Sequence, residues 1–66
     1  MRTKLVELRK LQGFSQYTFA AAVGTSRSHY GQIETGDKSP SFRLSRRIKK
    51  QLGYYDDDLF DNTSIP

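Results

Sequence analysis

Arg27, Ser28 and Gln32 lie within one six-residue run, RSHYGQ. At about 100° per residue they share a helical arc with Gly31 and Thr35, while His29, Tyr30, Ile33 and Glu34 fall on the other arc. Arginine offers paired donors, glutamine a donor beside an acceptor, and serine a short hydroxyl. Such a face suits the base edges of a duplex major groove. Arginine there pairs with guanine and glutamine with adenine, each contact giving about 1–3 kcal/mol of discrimination. A solvated surface is the plain alternative, but a place in the first turn, directly after Ser26, favours contact for Arg27. Gly31 sits between the readers, although glycine inside a helix costs about 1 kcal/mol relative to alanine. Either a side chain there would hold the helix off the groove, or the weakness is merely tolerated.

Two short helices joined by a tight corner must carry this face. Ser15 is a good N-cap, Phe14 can staple onto Phe19, and Phe19, Ala20 and Val23 form an apolar stripe, so a helix is expected from Gln16. Gly24 is expected to end it in a left-handed residue. Ser26 can then cap a second helix running to about Glu34, closed by Gly36, which leaves only Gly24 to Ser26 as the corner. This is the logic of a helix-turn-helix.

Around that pair, the pattern gives an all-α chain of about five short helices and no convincing strand. A first helix is expected from near Thr3 to Gln12, with Leu5, Leu8 and Leu11 inward and Gly13 as its stop. Gly36, Asp37, Ser39 and Pro40 are turn formers. Ser41 caps a fourth helix in which Leu44, Ile48 and Leu52 recur opposite Arg43, Arg46, Arg47 and Lys50, and Gly53 ends it. A last turn near Asp56 to Phe60 is expected to bury Leu59 and Phe60. The whole reads as one domain over residues 1–66, with a core of about 3–60 and a tail at 61–66.

Charge is unevenly placed. All 11 Lys and Arg lie in residues 1–50 against Glu7, Glu34 and Asp37, and residues 51–66 carry only Asp56, Asp57, Asp58 and Asp61. A basic body fits a polyanion partner, and by itself fits an inert soluble surface equally well. Lys38, Ser39 and Arg43 flank the start of the fourth helix, where exposed amides and cations suit a phosphate. Ser26 at its helix start joins these backbone contacts. His29, the lone histidine, stands at the edge of the buried arc and either packs on the core or leans toward a phosphate.

Leu8-Arg9, Ser15-Gln16, Phe19-Ala20, Gly24, Ser26, Ile33-Glu34, Gly36, Pro40-Ser41 and Leu52-Gly53 together, in this order and spacing, resemble the lambda-repressor-like helix-turn-helix regulators of Xre or Cro type. The resemblance spans roughly Leu5 to Phe60. It implies a sequence-specific regulator that binds double-stranded DNA. It places Arg27, Ser28 and Gln32 where relatives touch bases and Gln16 where they meet backbone phosphate and brace the reading helix. It also implies an ion pair between Arg9 and Glu34 that orients that helix, with Arg9 able to reach a phosphate as well. Thr25, Tyr30 and Lys49 depart from the family's commonest residues, and a lysine at 49 must snorkel.

One reading helix covers only a few base pairs, so a homodimer on a palindromic operator is expected, with half-sites about 34 Å apart. Repression by occluding polymerase is the simplest mechanism. The rival reading, a protein-binding module such as an antitoxin or adaptor, needs a large apolar patch that the third helix does not offer. Other classes find little support. There is no cysteine for disulfides or thiolate metal sites, and MRTKLVELRK lacks the apolar run of a signal peptide. No nucleophile motif, phosphate-binding glycine loop or zinc spacing occurs. The consecutive Asp56, Asp57 and Asp58 project in different directions and show no basic partner. The expectation is a cytoplasmic protein that is not an enzyme and uses no cofactor, metal, membrane or small-molecule ligand.

Overall fold

The computed structural model describes residues 1–61 as four α-helices, α1 (Thr3–Leu11), α2 (Gln16–Val23), α3 (Arg27–Thr35) and α4 (Phe42–Leu52), followed by a 3₁₀ turn at Asp57–Phe60. No strand occurs among the described residues, so the all-α expectation holds and the expected fifth helix is only that turn. Apart from Asp61, the tail expected at 61–66 lies outside the described residues.

Serine hydroxyls start three of the helices. Ser15, Ser26 and Ser41 accept from the amides of Thr18 (3.0 Å), His29 (3.1 Å) and Leu44 (3.2 Å). Each satisfies a donor that the first helical turn leaves without an intrahelical partner. At Ser15 the exchange is reciprocal, because its own amide donates to Thr18 Oγ1 at 2.9 Å. Phe14 meets Phe19 edge-on at 5.3 Å between ring centroids, which is the expected staple. Gly24 and Gly36 take the left-handed φ values of +80° and +95° that a Cβ would strain, and they bracket α3.

The core is built from every element: Leu5 of α1, Phe19, Ala20 and Val23 of α2, Tyr30 and Ile33 of α3, Leu44, Ile48 and Leu52 of α4, and Leu59 of the turn. α2 packs on both α3 and α4, while α1 packs on α3 and on the 3₁₀ turn. The helix-turn-helix is thereby held by α4 against α2 and by α1 against α3.

Four expectations need correction. Leu11 is 82% exposed rather than inward. Steps of three residues rotate about 60° backwards around a helix, so the stripe begun by Leu5 and Leu8 has left the core side by Leu11. Gln12 also falls beyond α1, where its side-chain amide donates to the Leu52 carbonyl at 2.8 Å. Phe60 is only partly buried, packed against the core edge. The acidic run does have basic partners, which come from distant segments: Lys49 pairs with Asp57, and Lys4 lies 3.6 Å from Asp58. Tyr54 donates its hydroxyl to Asp58 at 2.6 Å, and Asp56 caps the turn by accepting from the Asp58 amide. These acids fasten the 3₁₀ turn to α1 and α4. Lys49 snorkels as its position requires, its ammonium 5.9 Å from the Phe60 ring centroid.

Candidate nucleic-acid interface

α3 has one face locked and one face open. Tyr30 and Ile33 are fully buried and Glu34 is 1% exposed, whereas Arg27, Ser28, Gln32 and Thr35 are exposed. The locked side is polar at its end as well as apolar. Glu34 accepts from Arg9 Nε, from Arg9 Nη2 at 3.3 Å and from Gln16 Nε2 at 2.9 Å. Arg9 Nη1 donates to the Phe14 carbonyl at 2.8 Å, at the entry to α2. One buried carboxylate thus ties α1, α2 and α3 together.

The electrostatics follow from that geometry. Burial works to raise the Glu34 pKa, but the hydrogen bonds and charge of Arg9, with Gln16, outweigh it and hold the carboxyl below its ordinary value. Tyr30 places its buried hydroxyl beside this pair with no hydrogen-bond partner of proper geometry among the described residues. Burial first, and the neighbouring Glu34 carboxylate second, push the phenol far above its usual range.

On the open side, Gln16, Arg27, Ser28, Gly31, Gln32, Thr35 and Asp37 line one shallow depression. All three expected base readers are in it, with Gln16 on its rim. A Cβ at Gly31 would meet Gln16 Nε2 at 4.0 Å, an ordinary contact, so packing does not demand glycine there. Ser26 is exposed at the helix start, where its hydroxyl caps, and His29 is half-buried at the arc's edge. Lys38, Ser39 and Arg43 are exposed beyond the far end of α3.

Arg9 does not belong with them. It is 6% exposed with all three nitrogens bonded inside the protein, so the brace absorbs it and no phosphate can reach it. Two features escaped sequence reasoning. Asp37, read as a turn former, puts a carboxylate into the reading depression. Arg2, counted only in the basic body, is 7% exposed and bonded to the end of α3. Nothing local signals either one, because the left-handed Gly36 ends the helical arc before Asp37. A second basic depression, lined by Arg46, Arg47, Lys49, Lys50 and Tyr55, shares no residue with the reading face.

A helix-turn-helix family profile matches residues 5–59, which includes both helices, the corner and the brace. The chain belongs to the lambda-repressor-like helix-turn-helix family of transcriptional regulators. Among curated relatives, the Bacillus subtilis protein YgzD, described as an uncharacterized HTH-type transcriptional regulator, is 37% identical over 91% of both chains. A regulator so described from Methanothermobacter thermautotrophicus is 42% identical over 80% of this chain and 77% of its own. One from Archaeoglobus fulgidus is 35% identical over 91% and 86%. No solved structure matches the chain at comparable stringency. No helix among the described residues of this helix-turn-helix protein is long and apolar enough to cross a membrane.

Proposed function

We propose that this chain is a sequence-specific double-stranded DNA-binding regulator, a repressor of phage or mobile-element Cro type that acts in the cytoplasm on a palindromic operator as a homodimer. One observation carries the reading: Arg27, Ser28 and Gln32 stand on the solvent side of a helix whose other side is fixed by Tyr30, Ile33 and the Glu34 brace. A helix held that firmly can enter a major groove without rearranging, which keeps the ordering cost of binding low.

In this reading Arg27 pairs with guanine, Gln32 with adenine, and Ser28 makes a less selective contact. Gln16 keeps Glu34 as one partner while its second amide hydrogen meets a phosphate. Ser26, His29, Lys38, Ser39 and Arg43 add phosphate contacts that position without specifying. Two copies about 34 Å apart double the sequence read. No catalytic step, cofactor or metal is required.

The exposed large apolar residues among those described, Met1, Leu11, Tyr17, Phe42 and Tyr55, include none from α3, so the rival protein-binding reading gains nothing from the reading face. Selection of bound sites from random duplex DNA tests the proposal. Enrichment of a two-fold symmetric motif is expected, and a pool that stays random after repeated rounds overturns it.

A further inference from the structure

The ends of α1, α2 and α4 are closed alike by their own chain. In each, the residue after the terminal glycine donates five residues back: Phe14 to Arg9 (3.1 Å), Thr25 to Ala20 (2.9 Å) and Tyr54 to Lys49 (3.1 Å). These are Schellman closures, which satisfy carbonyls left open at a helix end. α3 ends differently. The Gly36 amide still meets the carbonyls of Gln32 (3.1 Å) and Ile33 (3.3 Å), but the Asp37 amide turns to Thr35 Oγ1 at 3.4 Å and makes no bond five residues back, and the Lys38 amide reaches the Gln32 carbonyl at 3.2 Å instead.

Arg2 adds further donors to this end of α3 from outside the helix. Its backbone amide donates to the Glu34 carbonyl at 2.8 Å, and its Nη1 donates to the carbonyls of Ile33 and, at 2.8 Å, Lys38. Nη2 lies 3.5 Å from Ser39 Oγ, and Nε donates to the Phe60 carbonyl at 2.9 Å. α3 has no basic residue in its own last turn, so this guanidinium also brings the positive charge that a helix C-terminus favours. Burying a cation is costly unless acceptors surround it. Here they do, and they come from three segments: the end of α3, the loop before α4 and the C-terminal turn.

Two of those acceptors belong to Lys38 and Ser39, and the capped helix end carries Gln32. We propose that Arg2 is a positioning residue for the DNA-binding surface, capping the reading helix from outside and pinning the 37–39 loop so that base readers and phosphate contacts are presented as one rigid body. The inference rests on the DNA-binding reading, and it adds a residue that touches no DNA.

Arg2→Ala, Arg2→Lys and the control Leu52→Ala, which weakens the core at the far end of α4, separate this from simple loss of stability. All are measured well below their melting temperatures. The first readout is amide hydrogen exchange at Gly36 and Lys38 relative to core amides. Arg2→Ala is expected to speed it by about tenfold or more, while Leu52→Ala leaves the ratio unchanged. The second is binding to the selected duplex, where Arg2→Ala lowers affinity about tenfold and flattens the salt dependence by about one phosphate contact. Arg2→Lys, with one point charge in place of a fork, restores thermal stability more than loop protection. If Arg2→Ala does not fold, Arg2→Lys carries the same two readouts. Unchanged relative exchange, or unchanged affinity and salt slope, overturns the proposal. If the wild-type protein selects no DNA sequence, the regulator reading falls, and the exchange ratio still decides whether Arg2 pins the loop.

Discussion

Arg9 and Glu34, separated by 25 positions in sequence, form a buried ion pair with side chains 7% and 1% exposed, and each guanidinium nitrogen makes a hydrogen bond inside the protein. The pair sits where α1, α2 and α3 meet, so it sets the rotation of the reading helix about its own axis. A turn of the helix by one residue would swing Arg27 and Gln32 off the open face and bring His29 and Ile33 round.

Acid should unfold this protein through Glu34. Its folded pKa is depressed while the unfolded glutamate titrates near about 4.3, so the stability it contributes is present above that value and lost as pH falls through the lower folded one. Thermal melts from neutral pH downward should show a steep loss in that window. Glu34→Gln should flatten the acid limb and cost about 3–5 kcal/mol at neutral pH, because Arg9 is left buried without its charge partner. An unaltered acid limb in the variant would assign the transition to other carboxylates.

Base reading and phosphate contact should separate by substitution. Arg27→Ala is expected to lose about 1–3 kcal/mol on the selected operator and relax preference at one base pair. Arg43→Ala should weaken all duplexes alike and lower the salt slope by about one. Titrations at several salt concentrations on operator and scrambled DNA check both, and identical behaviour of the two variants would defeat the division.

Gly31→Ala should stabilise the free protein by about 1 kcal/mol, since the added methyl meets only Gln16 at an ordinary distance. If the backbone approaches DNA closely at Gly31, the same variant should bind operator at least about tenfold more weakly. Equal affinity with higher melting temperature would make the glycine a tolerated weakness.

Asp37→Asn should tighten binding to any duplex by about two- to fivefold at low salt, an effect that fades as salt screens the repulsion between carboxylate and phosphates. Anisotropy titrations across ionic strength decide it. No change at low salt would place Asp37 away from the phosphate backbone.

Much of the fold is legible because its signals are local. Ser15, Ser26 and Ser41 each bond an amide three residues on, and Gly24, Gly36 and Gly53 each close a helix whose last turn immediately precedes them. Leu44, Ile48 and Leu52 repeat at four residues and are all buried. Leu11 went wrong at a helix end, where a drifting three-residue repeat has no further residue to correct it. Lys4 and Lys49 were unreadable as partners of Asp58 and Asp57, because nothing in a run of aspartates says which distant cation will arrive.

Local signals suffice for the starts of α2, α3 and α4 and for the shared side of Arg27, Ser28 and Gln32, since capping and periodicity depend only on residues a few positions apart. Which cations reach solvent depends on packing between distant segments. Arg2 and Arg27 are the same residue type near a helix start, yet Arg2 is spent on the carbonyls of Ile33, Lys38 and Phe60 while Arg27 stays exposed. Backbone carbonyls are present at every position and carry no mark in the sequence, so a side chain that finds them across 31, 36 or 58 residues is settled by how the helices pack.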